Sequence, residues 1–223
     1  MNKNLHKNYV AFFRLLRNSI VRFLFIFLFV SGTDLNSASA QYSNVTISNS
    51  PTTNGCWKHV LGPPNHYTFT PTGDNANVNV TDIIAIFSGS DLATTGISGC
   101  ESMFNPYGLS GSVIIQTERA KGKQQGNITI SSPIIASPYV PTDFTINAGA
   151  NITVGAPINL AGLSGSPGYH GANIILTAGK NGAVKVSNPI TTSGGTGAKD
   201  DDAGGDAGQI TINGPEGITL TAD

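Results

Sequence analysis

From about residue 110 onward, apolar residues stand two positions apart in short groups, and the groups recur. Val113/Ile115, Phe144/Ile146, Ile174/Leu176 and Ile210/Ile212 form one series. A second follows each member: Ile128/Ile130, Ile152/Val154, Val184/Val186 and Ile218/Leu220. A third element opens with Pro-Ile, at Pro133-Ile134, Pro157-Ile158 and Pro189-Ile190, each Pro five residues after the first apolar residue of the second series. The first series repeats at intervals of 31, 30 and 36 residues. A period of two predicts short strands with one face inward.

Strands this short cannot bury an apolar face alone. Stacking successive repeats solves the problem, because like positions then meet in interior rows. The expected fold is therefore all-β: a parallel, right-handed β-helix solenoid of about four turns over 111–223, the last lacking its Pro-Ile element. Pro suits the first residue of a strand, where no N–H is needed. Gly149, Gly155, Gly162, Gly179, Gly182 and Gly194 fall where corners are expected, and positive φ is the reason given to them. Residues in excess of the repeat collect at 119–125, 163–171 and 195–208. An antiparallel β-sandwich is the alternative, but it does not account for strand, strand and Pro-Ile recurring together. An open last turn would expose unpaired strand edges, so the chain is expected to be the N-terminal piece of a longer repeat protein.

Residues 41–110 do not repeat. Tyr67-x-Phe69 and Val78-x-Val80 read as strands, and 82–93 as a short helix capped by Thr81 or Asp82. The region is expected to be a small N-terminal cap linked by a disulfide between Cys56 and Cys100, the only two cysteines. Such a bond suits an oxidising compartment, and no Cys-x-x-Cys spacing points to redox chemistry. That compartment follows from residues 1–40, which read as an export signal. Lys3, Lys7, Arg14, Arg17 and Arg22 precede the apolar run 23–30, and Ala38-Ser39-Ala40 offers a small-x-small site. Cleavage is expected between Ala40 and Gln41. The apolar run is too short to span a membrane, which takes ~20 residues, so no transmembrane span is expected in the mature chain.

Composition narrows the function classes. Charged residues make up 11% of the chain, against ~25% in typical domains. Beyond residue 40, seven Lys and Arg face twelve Asp and Glu, a formal net charge of −5. A nucleic-acid partner is excluded on that balance, and the run Arg119, Lys121, Lys123 reads as a solvated loop.

The segments 126–134 (GNITISSPI), 150–158 (ANITVGAPI) and 173–179 (NIILTAG) resemble the repeats of filamentous-haemagglutinin-type adhesins and of autotransporter-like surface proteins of Gram-negative bacteria. Asn105-Pro106-Tyr107-Gly108 is similar to the Asn-Pro-Asn-Gly element of two-partner secretion domains and departs from it at Tyr107. The resemblance covers the C-terminal half. It implies a secreted, outer-membrane-associated protein that uses outer-membrane secretion machinery and attaches to glycans or host and cell surfaces; that the chain is not an enzyme is expected from its residues. The resemblance leaves the ligand open.

The rival class is an extracellular polysaccharide-degrading lyase or hydrolase. Glycoside hydrolysis needs two carboxylates flanking the bond, and Asp143 is the one carboxylate from 127 to 198. Lys180 and Lys185 lack acidic partners in their own repeat. No catalytic residue and no cofactor is assigned. Asp200, Asp201, Asp202 and Asp206 are candidate calcium ligands on a Gly-rich loop, against the simpler reading of a solubilising loop. His59, His66 and His170 have no zinc-ligand spacing. Asn-x-Thr occurs at Asn44, Asn79, Asn127 and Asn151, twice as part of the repeat. The candidate ligand loop is 163–171, because Tyr169 and His170 could meet a sugar face there.

Overall fold

The computed structural model describes residues 41–89, 110–118 and 123–221. The export signal, Cys100, Asn105–Gly108, Arg119 and Lys121 lie outside them. Fifteen strands and one helix follow in order: β1 (Val45–Ser48), β2 (Gly55–Val60), β3 (Asn65–Pro71), β4 (Ala76–Asn79), α1 (Val80–Ser88), β5 (Gly111–Gln116), β6 (Ile128–Ile130), β7 (Ile134–Ile135), β8 (Asp143–Asn147), β9 (Ile152–Val154), β10 (Ile158–Asn159), β11 (Asn173–Thr177), β12 (Val184–Val186), β13 (Ile190–Thr191), β14 (Ile210–Asn213) and β15 (Ile218–Leu220). Among the described residues the fold is all-β apart from this one helix.

Three sheets hold the strands. Their orders are β4-β1-β6-β9-β12-β15, β7-β10-β13 and β2-β3-β5-β8-β11-β14. From β5 onward the chain visits the third, first and second sheets in strict rotation. Every strand pair is parallel except the β2–β3 hairpin.

The registers bring like residues of successive repeats together. Val113 pairs with Phe144, Phe144 with Ile174, and Ile174 with Ile210. Ile128, Ile152, Val184 and Ile218 form a second row, and Ile134, Ile158 and Ile190 a third. Through β12 the inward residues are almost wholly buried. Each buried Ile or Phe contributes roughly 1.5–3 kcal/mol relative to exposure. Ile134 and Ile158 donate their N–H groups to the Pro157 and Pro189 carbonyls, both at 3.0 Å. Proline thus stands just before the strand, supplying an acceptor where it cannot be a donor.

Residues 41–89 do not stand apart from the repeats. β1 and β4 extend the first sheet, and β3 with its hairpin partner β2 extends the third. Helix α1 packs on β5 and β7, burying Ile83, Ile86 and Phe87. Phe87 meets the Phe144 ring edge to face at 6.1 Å. Tyr67-x-Phe69 forms a strand as expected, but Val80 opens the helix and leaves the strand at Asn79. Neither Thr81 nor Asp82 caps it: Asn79 does, its side chain accepting the Thr81 N–H at 2.9 Å. Asp82 is instead buried and accepts the Thr52 hydroxyl at 2.5 Å, while Thr52 Oγ1 accepts the Asn79 N–H. The helix ends at Gly89, which takes the left-handed conformation.

The corner glycines act for a different reason from the one expected. Among the described residues only Gly89, Gly126 and Gly217 have positive φ among the glycines. Close approach is what the corners require. A Cβ on Gly179 would strike the carbonyl of Gly149 in the preceding repeat, and one on Gly182 that of Ala150. Strand stacking at ~4.8 Å leaves no room there for a side chain.

Candidate functional site

Two of the three surplus segments form one structure. Residues 163–171 follow β10, and 195–208 follow β13. Gly165 bridges Gly197 in the parallel sense, with Gly165 N–H donating to Thr196 O at 3.1 Å and Ala198 N–H to Gly165 O at 2.7 Å. Gly168 N–H donates to Ala203 O, Gly171 N–H to Asp206 O and Gly195 N–H to Tyr169 O, at 2.8–2.9 Å. Glycine makes this possible, since a Cβ on Gly195 would collide with the Leu163 carbonyl and one on Gly205 with that of Tyr169. The loops are stacked and internally hydrogen-bonded, unlike free surface excursions.

Side chains continue the contact. Ser164 and Thr196 share a hydrogen bond of 2.8 Å, and Ser166 Oγ donates to Asp202 at 2.7 Å. His170 Nδ1 accepts the Asp206 N–H at 3.0 Å and lies 3.3 Å from the Asp206 carboxylate. The Tyr169 ring covers Gly165 and meets Tyr139 edge to face at 5.8 Å. Tyr139 and Tyr169 are 47% and 38% exposed. Tyr139 sits in the connection after β7, one repeat earlier, and sequence reasoning missed it. Its signal was an aromatic five residues after Ile134, in the same kind of connection that carries Tyr169 after Ile158.

Of the other candidates, two of the aspartates lie in these same loops. Asp202 serves Ser166 and the Lys199 N–H, and Asp206 faces His170. No group of three or more His, Cys, Asp or Glu side chains that could hold a metal comes together among the described residues. His59 stacks on Tyr67 at 4.4 Å, far along the chain from His170. Asp143 accepts from Asn173 Nδ2 at 2.8 Å. Cys56 is disulfide-bonded and leaves no free thiol; the expected partner, Cys100, lies outside the described residues. Among the described residues no helix is long and apolar enough to cross a membrane.

The Asn-x-Thr recurrence has a structural basis. Asn44 Oδ1 accepts the Asn127 N–H, Asn127 Oδ1 the Asn151 N–H and Asn151 Oδ1 the Ala183 N–H, at 2.9–3.1 Å. These asparagines form a ladder along one corner, satisfying backbone donors that the short strands leave unpaired. Comparison with protein-family models, curated proteins and solved structures returned no match.

Proposed function

We propose that the three sheets wind as a right-handed parallel β-helix, and that the chain is an exported structural and adhesive protein of a bacterial surface. The observation that carries this reading is the rotation of strands through three sheets with like residues in register, Phe144 on Ile174 on Ile210. Such an array is stiff along its axis, because each repeat contacts mainly its neighbours and adds one layer of hydrogen bonds. Rigid extension suits a spacer that presents loops away from a membrane. The stacked loops 163–171 and 195–208 are what this spacer would present to glycans or other surfaces.

The adhesin resemblance of 126–134, 150–158 and 173–179 supports the same reading, as do the basic and apolar residues of 1–40 that read as an export signal; a Cys56–Cys100 disulfide in the N-terminal region belongs to the proposal. Outer-membrane secretion machinery would then be a partner. The test is twofold. Amino-terminal sequencing of the secreted chain should begin at Gln41. Cells displaying the chain should attach to glycan-coated or cellular surfaces better than cells lacking it, and equal attachment would remove the adhesive role.

A further inference from the structure

We propose that Tyr139 and Tyr169, with the acidic segment 195–208 stacked on the connection that carries Tyr169, form a binding site for glycans bearing free amino sugars. This deepens the adhesive reading above and rests on it. The two rings come from connections after β7 and β10, in successive repeats. They stand nearly perpendicular, at 82°, with centroids 5.8 Å apart. Perpendicular, part-exposed rings leave a corner of aromatic surface. The C–H face of a pyranose packs against such a surface, and a protonated amine is attracted by the ring faces.

On the Tyr169 side the corner is held in place before any ligand arrives. Tyr169 N–H donates to Leu163 O at 2.9 Å, its carbonyl accepts from Gly195 at 2.8 Å, and its ring rests on Gly165. Little ordering is therefore left to oppose binding. The acidic segment packs on the backbone that carries Tyr169, with Gly195 and Gly205 both close to its carbonyl. Asp206 is bonded through its N–H to His170, the neighbour of Tyr169, and its side chain is 89% exposed.

Charge selects the class of glycan. Segments 163–171 and 195–208 hold one cation, Lys199, against Asp200, Asp201, Asp202 and Asp206, and the connection carrying Tyr139 holds no charge. A sulfated or uronic polymer would be repelled, and an amine-bearing one attracted. The carboxylates act together as a field and need no shared ion.

The test is calorimetric titration of the full chain with a glucosamine hexamer. Saturable binding is expected, with Tyr139→Ala and Tyr169→Ala each weakening it about tenfold or more and Tyr169→Phe retaining it. Asp206→Asn, on an exposed side chain that leaves the backbone contacts in place, should weaken the glucosamine hexamer and leave its N-acetylated counterpart unchanged. Absence of saturable binding, binding indifferent to Asp206→Asn and to both alanine variants, or preference for heparin would each overturn the site. If displaying cells still attach to surfaces when Tyr139 and Tyr169 are both alanine, this site is rejected while the adhesive reading stands.

Discussion

Tyr67 shows how one buried side chain sets a pH limit. Burial raises its phenol above the usual 10.0, so the fold favours the neutral form. The stability this brings is complete below about pH 10 and is lost as pH climbs through the raised folded value. Unfolding midpoints measured from pH 8 to 12 should fall on the alkaline side, and Tyr67→Phe should flatten that limb. Phe144 is the other informative residue, fully buried and touching both Phe87 and its row neighbours. Phe144→Ala should destabilise the chain by about 3–5 kcal/mol in chemical denaturation, whereas Thr145→Ala, on the outward face, should stay within about 0.5 kcal/mol. The alternation of the sequence separates these two neighbours at once, because a strand sends successive side chains to opposite faces.

At the scale of elements, strands were legible and their corners only partly so. Pro133, Pro157 and Pro189 announced the second sheet, since a residue without N–H is tolerated just outside a strand. The corner glycines were legible as positions, but their reason was not. Positive φ is a local property that sequence reasoning can invoke, whereas collision with the preceding repeat exists only once repeats are stacked. Gly179→Ala should therefore destabilise by about 1–3 kcal/mol, as overpacking does, where a merely flexible glycine would be stabilised by the same change. Asn151→Ala removes a rung of the corner ladder and leaves the Ala183 N–H without its acceptor, at about 0.5–1.5 kcal/mol. Equilibrium denaturation distinguishes both outcomes. Helix α1 began earlier than expected because Asn79, rather than Thr81 or Asp82, was free to cap it; Asp82 was taken by Thr52, 30 residues away.

Across the whole molecule, protection should follow position in the stack. Amides of β8 to β12 lie between neighbours on both sides, while β14 and β15 form the exposed ends of their sheets. Hydrogen exchange should be slowest in the former and fastest in the latter; uniform exchange would contradict a layered core. The candidate ligand site belongs to this scale. Tyr169 and His170 were legible as an aromatic loop, and Tyr139 was not, because the two tyrosines lie 30 residues apart and meet only through stacking. The calcium reading of Asp200, Asp201, Asp202 and Asp206 has a direct test at the same scale. Asp202 and Asp206 face different partners, so millimolar calcium is expected to leave the thermal midpoint unchanged, whereas an ion bound to the folded chain would raise it.

What the sequence by itself determined was periodic: which residues face inward, where strands start, and which positions in successive repeats are equivalent. Those follow from the two-residue alternation of a strand and from the recurrence of one short pattern. Tertiary structure alone decided how the irregular pieces join that frame. It placed β1 to β4 within the first and third sheets, set α1 against β5 and β7, and locked two loops together through glycine. It also brought Tyr139 to Tyr169. Contacts of that kind depend on the spacing between layers, and spacing is a property of the packed backbone, which no single segment of sequence contains.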